Sequence, residues 1–350
     1  MRIKMTSYEK CKDDERQLWL DMADQAMRRW RLKPLSIRRL GLGSNIVFRV
    51  TTSGAKYVLR LQQARGVTAA RLRSELQWLA SIRRNTNLLA PLAMVSRADG
   101  REQHYLTLRH DMLPPPSLVY AALFEYISGD MKSARDLVVA DVYRIGEYLG
   151  RLHSDAQFAP PADFDRPRLD WAGLFGEDSP YAPRAQQART SPGQQAILGE
   201  VAQHLRAPLN ELASRSRSAG LIHADLLAKN IVFCAHSIAA LDFEFCGWGC
   251  YLYDLAPILW QLKGERKGDY LELADALWRG YTSVRPTPDG DRELLEPLIA
   301  ARQLASIRWL LANLQNPTVG AAAPALIAER CEELKVFLDT GILRRFTPTL

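Results

Sequence analysis

Between about Asp13 and Arg31, Leu18, Met22, Ala26 and Trp30 recur at helical spacing with charges between them, which predicts an amphipathic helix ended by Pro34. The pattern then turns strand-like over Leu35 to Leu40, Ile46 to Thr51 and Tyr57 to Leu61. Gly41-Leu42-Gly43-Ser44-Asn45 joins the first pair and Ser53-Gly54 the second, turn chemistry that predicts an antiparallel meander. A helix from about Ala69 to Arg84 would bury Leu72, Leu76, Leu79 and Ile82. Pro91 to Val95 and Tyr105 to Arg109 read as strands flanking a turn at Ala98-Asp99-Gly100, and Pro114-Pro115-Pro116 as a rigid loop. The longest apolar run, Leu118 to Ile127, predicts a fully buried strand that ends at a hinge, Ser128-Gly129-Asp130.

Beyond that hinge the periodicity is mostly helical. Helices are expected over Asp136 to His153 and Ala196 to Arg215, with a loop rich in Pro and Gly between Pro160 and Pro192. Short strands follow at Leu221-Ile222, Ile231 to Cys234 and Ser237 to Asp242, then helices beginning near Asp254, Asp269, Asp291 and Pro324. The expected fold class is therefore α+β: a small antiparallel-sheet lobe with an extra N-terminal helix over residues 1–125, and a larger helical lobe over 126–350. A cleft between two such halves is a common place for a ligand.

Composition changes this picture little. The 350 residues are 47% hydrophobic and 24% charged, an ordinary globular balance with enough chain for a sizeable core. The formal charge of +7 is spread over scattered cations, with Arg28-Arg29, Arg38-Arg39, Arg83-Arg84 and Arg344-Arg345 as short pairs, so a solvated surface is expected and no nucleic-acid partner. Met1 to Lys12 is polar, unlike a signal peptide, and no apolar run is long enough to span a bilayer; no membrane partner and a cytoplasmic location are expected. The five cysteines, Cys11, Cys234, Cys246, Cys250 and Cys331, fit no standard zinc spacing and are expected to be reduced thiols.

The chemistry concentrates in His223-Ala224-Asp225-Leu226-Leu227-Ala228-Lys229-Asn230 and Leu241-Asp242-Phe243-Glu244. Two carboxylates and a carboxamide, each flanked by apolar residues that would fix it, are the set needed to activate a hydroxyl and hold magnesium against a nucleoside triphosphate. Asp225 is the candidate base, and Asn230 and Asp242 are the candidate metal ligands. His223 reads as a scaffold of the loop. Asp254, in Tyr253-Asp254-Leu255-Ala256-Pro257, reads as a helix N-cap that also braces the loop. Glu244 shares a face with Asp242 and is either a second metal or acceptor contact or a solvated loop residue; Trp248 is either an acceptor-site wall or core. Upstream, Gly43, Ser44 and Asn45 would lie over the triphosphate, and Arg60, held by Glu75, would meet its phosphates.

These segments resemble the aminoglycoside phosphotransferase and choline kinase-like superfamily from about Leu35 to Trp309. The resemblance is carried by Leu221 to Leu226, Leu241 to Glu244 and Tyr253 to Ala256, supported by Tyr57 to Leu61, Ser74 to Leu79 and Ile145 to His153. Within it the chain is similar to a bacterial branch holding homoserine kinase-like enzymes and a stress-response protein kinase. The resemblance implies a bilobal protein kinase-like fold, ATP and magnesium, the same roles for Asp225, Asn230 and Asp242, and an adenine-binding hinge at Glu125, Tyr126 and Ile127. The chain departs from the family at Arg60, where many relatives carry Lys, and at Leu227, where this branch often has His. The activity so implied is transfer of the γ-phosphoryl of ATP to a hydroxyl of a small molecule such as an amino alcohol, an aminoglycoside or a homoserine-like compound. The alternatives are a Ser/Thr protein kinase and a nucleotide-binding regulator without catalysis. Neither the acceptor nor the oligomeric state is legible.

Overall fold

The computed structural model describes residues 7–345 apart from 43–44, 65–66, 98–99, 112, 114–116, 156–157, 178, 180–189, 216–217, 315 and 317–318. The chain forms two compact units. The first holds the described residues up to Ala80, Pro91–Ile127 and Pro160–Asp165; the second holds Ser81–Ala90, Ser128–Ala159 and the rest from Arg166.

In the first unit, helix α1 (Ser7–Arg29) covers a five-stranded antiparallel sheet of order β1-β2-β3-β5-β4. The strands are β1 (Ser36–Leu42), β2 (Ile46–Thr51), β3 (Lys56–Gln63), β4 (Leu106–Leu108) and β5 (Val119–Glu125). The predicted stripe of α1, with Leu18, Met22 and Ala26, packs with Trp19 and Met27 onto Phe48, Val50, Leu59, Leu61, Ala121 and Leu123. Alternation then aims Arg60, between Leu59 and Leu61, at the opposite sheet face. The meander has the expected pairing, with a bulge between Arg39 and Gly41. Pro91 to Val95 does not form the predicted strand; it makes one bridge, Ala93 with Phe124. Pro91 lacks a backbone donor and the segment is short, which leaves too few donors for a ladder.

Helix α2 (Ala69–Asn85) buries Leu72, Leu76, Leu79 and Ile82 as its spacing requires. In the second unit, α3 (Val139–Asp155) begins three residues later than its pattern predicts, after a turn of 3₁₀-helix at Ala134–Asp136. A short helix, α4 (Trp171–Phe175), interrupts the loop predicted between Pro160 and Pro192. The single helix expected from Ala196 to Arg215 is two, α5 (Pro192–His204) and α6 (Arg206–Ser214). Pro208, which cannot donate to an uninterrupted ladder, sits in the first turn of the second.

Two small ladders follow: β6 (Ala219–Ile222) pairs with β9 (Gly247–Cys250), and β7 (Ile231–Phe233) with β8 (Ile238–Ala240). Strand β9 was hidden in the sequence because Gly-Trp-Gly-Cys has neither alternation nor β-branched residues. The helical body is α7 (Ala256–Glu265), α8 (Tyr270–Val284), α9 (Leu295–Ala312) and α10 (Ala323–Thr340). Helix α9 is buried almost all round, as its apolar composition demands. No described helix is long and apolar enough to cross a membrane.

Candidate active site

In the second unit, β6 delivers the chain into a tight loop and β9 lies beside it, so both ends of the His223–Gly247 circuit are held by one ladder. Inside that circuit two non-glycine residues adopt left-handed backbone, Ala224 (φ 67°) and Asp242 (φ 61°). Such conformations cost about 1 kcal/mol or more each and persist only where the surroundings enforce them. Here the enforcement is visible. The Asp254 carboxylate accepts the backbone N–H of His223 at 2.8 Å and of Ala224 at 2.5 Å.

His223 is fully committed to structure. Its Nδ1 accepts the Asp225 N–H at 3.2 Å, which places the ring proton on Nε2, where it is donated to the Leu241 carbonyl at 2.9 Å. Asn230 completes the same frame. Its Nδ2 donates to the Asp225 carbonyl at 2.9 Å, and its own carbonyl accepts the Leu241 N–H at 2.8 Å. Both peptide groups of Leu241 are thus tied to the Asp225 loop, and Asp242 is the next residue. The Ala228 N–H is pinned by Gln261 Oε1 of α7 at 2.9 Å.

Asp254 departs from its predicted place. It lies inside a 3₁₀ turn, Tyr251–Leu255, not at the N-cap of α7, which falls on Leu255. Its carboxylate faces inward because a third donor waits there: His153 of α3, whose Nε2 lies at 2.9 Å and whose Nδ1 lies 3.1 Å from the Tyr281 hydroxyl. Burial lowers the His153 pKa, and the hydrogen bond and charge of Asp254 oppose this in part.

The Asp225 side chain makes one hydrogen bond among the described residues, and it was not foreseen: Arg302 of α9 donates Nη2–H to Oδ1 at 2.6 Å. Oδ1 is thereby occupied while Oδ2 has no hydrogen-bond partner among the described residues. The available signal was an Arg inside a mostly apolar helix, one of two in α9 with Arg308, since such a cation needs a partner. His153 offered a similar signal on the apolar face of α3. A further positioning residue is Arg166, buried, whose Nε donates to the Cys246 carbonyl at 2.7 Å and Nη2 to the Glu244 carbonyl at 2.5 Å.

The side chain of Glu244 is half-buried on a 3₁₀ turn, Phe243–Phe245, and Trp248 is half-buried in β9. The Trp248 backbone is bonded to Pro167 and Leu169, so that strand has neighbours on both sides. Cys246 and Cys250 are buried free thiols, burial pushes Cys250 up to about 11, and no cluster of metal-ligating side chains involves them among the described residues.

In the first unit, Arg60 and Glu75 form two parallel bonds of 2.8 Å, with side chains 8% and 3% exposed. The Arg60 guanidinium also lies 5.3 Å from the Phe124 ring. Asn45 is buried at the start of β2, whereas Gly43 and Ser44 lie outside the described residues. Glu125 ends β5, with its N–H on the Leu92 carbonyl at 3.0 Å; Tyr126 donates to Lys56 at 3.3 Å, and Tyr126 and Ile127 are half-buried.

A profile of the phosphotransferase enzyme family matches residues 36–298. The homoserine kinase of Gluconacetobacter diazotrophicus is 30% identical over 297 residues, 82% of either chain. That of Gluconobacter oxydans is 30% identical over 221 residues, 60% of this chain and 63% of that enzyme, so the chain spans under two thirds of that relative's length. Among solved structures, a microcompartment-associated aminopropanol kinase matches with a TM-score of 0.78 at 25% identity, over 93% of this chain and 99% of that one. With a match that takes in the β1–β5 sheet, the Asp225 loop, the Asp242 turn and Asp254, the chain belongs to the phosphotransferase enzyme family.

Proposed function

We propose that this chain is a kinase that moves the γ-phosphoryl of ATP to a hydroxyl of a small molecule. The observation that carries the reading is the Asp225 carboxylate, held on a loop whose backbone is pinned by Asp254 and His223, with Oδ1 taken by Arg302 and Oδ2 left for a hydroxyl. A preorganised carboxylate of this kind supports phosphoryl transfer, in which positioning and charge neutralisation do most of the work. The relatives named above act on small molecules by their names and give no support to the protein-kinase alternative.

In the proposed step the acceptor hydroxyl oxygen forms the new O–P bond while the bond from the γ-phosphorus to the bridging oxygen breaks and ADP departs. The hydroxyl proton passes to Oδ2 of Asp225 and from there to solvent. Asn230 and Asp242 suit magnesium. The Asn230 Nδ2 is spent on the Asp225 carbonyl, which turns its amide oxygen into the available donor, and Asp242 supplies an exposed carboxylate. Two oxygen donors from protein, completed by phosphate and water, are the usual magnesium provision. Magnesium when bound supplies neutralisation of phosphate charge. Arg60, kept extended by Glu75, is the proposed cation for the α- and β-phosphates, and Glu125 to Ile127 the proposed adenine hinge.

Asp225→Asn tests the reading. The expected outcome is loss of acceptor-dependent ADP release by about 10²-fold or more with ATP binding retained in calorimetry. Turnover at the wild-type rate would overturn it.

A further inference from the structure

Helix α1 ends on a strained residue. It closes with the Leu32 N–H on the Met27 carbonyl and the Arg31 N–H on the Arg28 carbonyl, each at 3.0 Å. These are the two bonds of a Schellman motif, whose C′ position takes left-handed backbone and is usually glycine. Here that position is Arg31, at φ 56°. A Cβ makes this conformation unfavourable, and Arg lacks the short polar side chain that eases it for Asn and Asp. The Arg31 side chain is exposed and makes no hydrogen bond or ion pair with a described residue. The helix end therefore keeps a strained cation from which the described fold gains no polar contact, and such an outlier points to a use outside the fold.

Arg31 lines a pocket of about 490 Å³, a volume in the range of small-ligand sites. One side is the helix end, Arg29 to Arg31, and the other is the segment from Ala93 to Arg97. Trp30 and Met94 also pack on the sheet core, which fixes the apolar wall. The two sides are tied together, since Ser96 Oγ donates to the Arg29 carbonyl at 3.4 Å, and Arg29 Nη1 donates to the Thr107 carbonyl at 3.2 Å. Among the described residues, three arginines and no carboxylate line the pocket. Of the acids beside it, Glu102 takes Nε and Nη2 of Arg97 at 3.1 and 2.6 Å, and Asp24 takes Arg28; Asp99 lies outside the described residues. Carbonyls at a helix C-terminus would repel an anion. Here those of Ala26, Met27 and Arg28 accept backbone N–H groups and that of Arg29 accepts Ser96, so Arg31 sets the local charge.

We infer that this pocket binds a small anion with a flat apolar body, of the aromatic carboxylate class. Its carboxylate goes to the Arg31 guanidinium, whose planar fork suits it, and its body goes to the wall of Trp30, Met94 and Val95. Val95 is 40% exposed, and an occupant would cover it. None of these residues is among those assigned to phosphoryl transfer. Trp30 and Arg31 also precede the family match, which begins at residue 36.

Calorimetric titration of the full chain tests this with phenylacetate and indoleacetate as probes and phenylacetamide as the uncharged counterpart. Wild type is expected to bind at least one of the two carboxylates with a Kd of about 1 mM or tighter. The amide is expected to bind about tenfold or more weakly, for want of the charge-assisted bonds. Arg31→Gly is expected to weaken the carboxylate about tenfold or more. The same variant should keep or raise the melting temperature, because glycine suits the left-handed C′ position. Absence of binding by both carboxylates at about 10 mM overturns the inference. Equal affinity for the amide, or undiminished affinity in Arg31→Gly, overturns it too, since the charge or the site would then be a different one. A melting temperature well below wild type in Arg31→Gly also overturns it, because Arg31 would then serve the helix end itself. None of these readouts depends on kinase activity.

Discussion

His153 Nε2 lies 2.9 Å from Asp254 Oδ2, and neither side chain has exposed surface. The carboxylate settles which ring nitrogen carries the proton. The Asp254 carboxylate can only accept, so Nε2 carries a proton; burial lowers the His153 pKa and favours the neutral ring, whose Nδ1 then accepts from the Tyr281 hydroxyl. Asp254 then receives three hydrogen bonds, one from this ring and two from the loop that presents Asp225.

A pH dependence follows. The folded state holds the His153 pKa below 6.5, mainly through burial. As pH falls through 6.5 the unfolded chain takes up a proton that the folded chain refuses, so stability declines on the acid side and is intact above it. The limiting slope is about 1.4 kcal/mol per pH unit for one group. His153→Gln keeps a donor toward Asp254 but removes the titration. Urea unfolding at pH 7.5, 6.5 and 5.5 is expected to show a shallower acid decline in the variant, and identical slopes would rule His153 out as the source.

Asp254→Ala removes the acceptor for two buried backbone N–H groups at once. An orphaned buried donor costs about 1–3 kcal/mol, so a loss of several kcal/mol is expected, with release of the strained Ala224 backbone. Turnover should fall in the same variant even where it remains folded at low temperature, because Asp225 follows Ala224 directly. Asp254→Asn retains one acceptor oxygen and should recover part of both losses. A variant with reduced melting temperature but wild-type kcat would show that the brace serves stability alone.

Helices α3 and α8 approach closely enough that side chains are excluded at their crossing. A Cβ on Gly146 would lie 2.2 Å from the Leu277 carbonyl oxygen, and one on Gly280 would lie 2.1 Å from that of Tyr143. Both obstacles are backbone and cannot rotate away. Alanine at either position is expected to destabilise by about 1–3 kcal/mol or more. The internal control is Gly199 of α5, which has nothing within 4 Å of a built Cβ and should gain up to about 1 kcal/mol as alanine. Chemical denaturation of the single variants checks the ordering.

What the sequence made legible was local. The stripe of α1, the meander and the H-x-D-x-x-x-x-N frame each lie within a few turns or strands, so period and turn chemistry suffice to find them. Asp254 was marked as a scaffold residue, yet its partners His153, His223 and Ala224 show that its role is tertiary, where the pattern suggested a cap. Arg302 and Asp225 are 77 positions apart, and no local rule couples them. Strand β9 exists because β6 supplies its ladder, a partner that Gly-Trp-Gly-Cys does not advertise.

The Arg60–Glu75 pair separates a stabilising role from a binding one. Removing one partner of a buried pair leaves an uncompensated charge and costs about 3–5 kcal/mol, whereas replacing both by apolar residues of similar volume is often neutral. Glu75→Leu is therefore expected to lower the melting temperature markedly, and Arg60→Met with Glu75→Leu to restore most of it. If Arg60 holds the α- and β-phosphates, ATP binding follows the opposite pattern: Arg60→Lys should raise KM for ATP by about tenfold, since a point charge replaces a fork, and the stable double variant should bind ATP weakly. Calorimetric titration of ATP into the double variant decides the matter. Wild-type affinity there would confine this pair to joining α2 to the sheet.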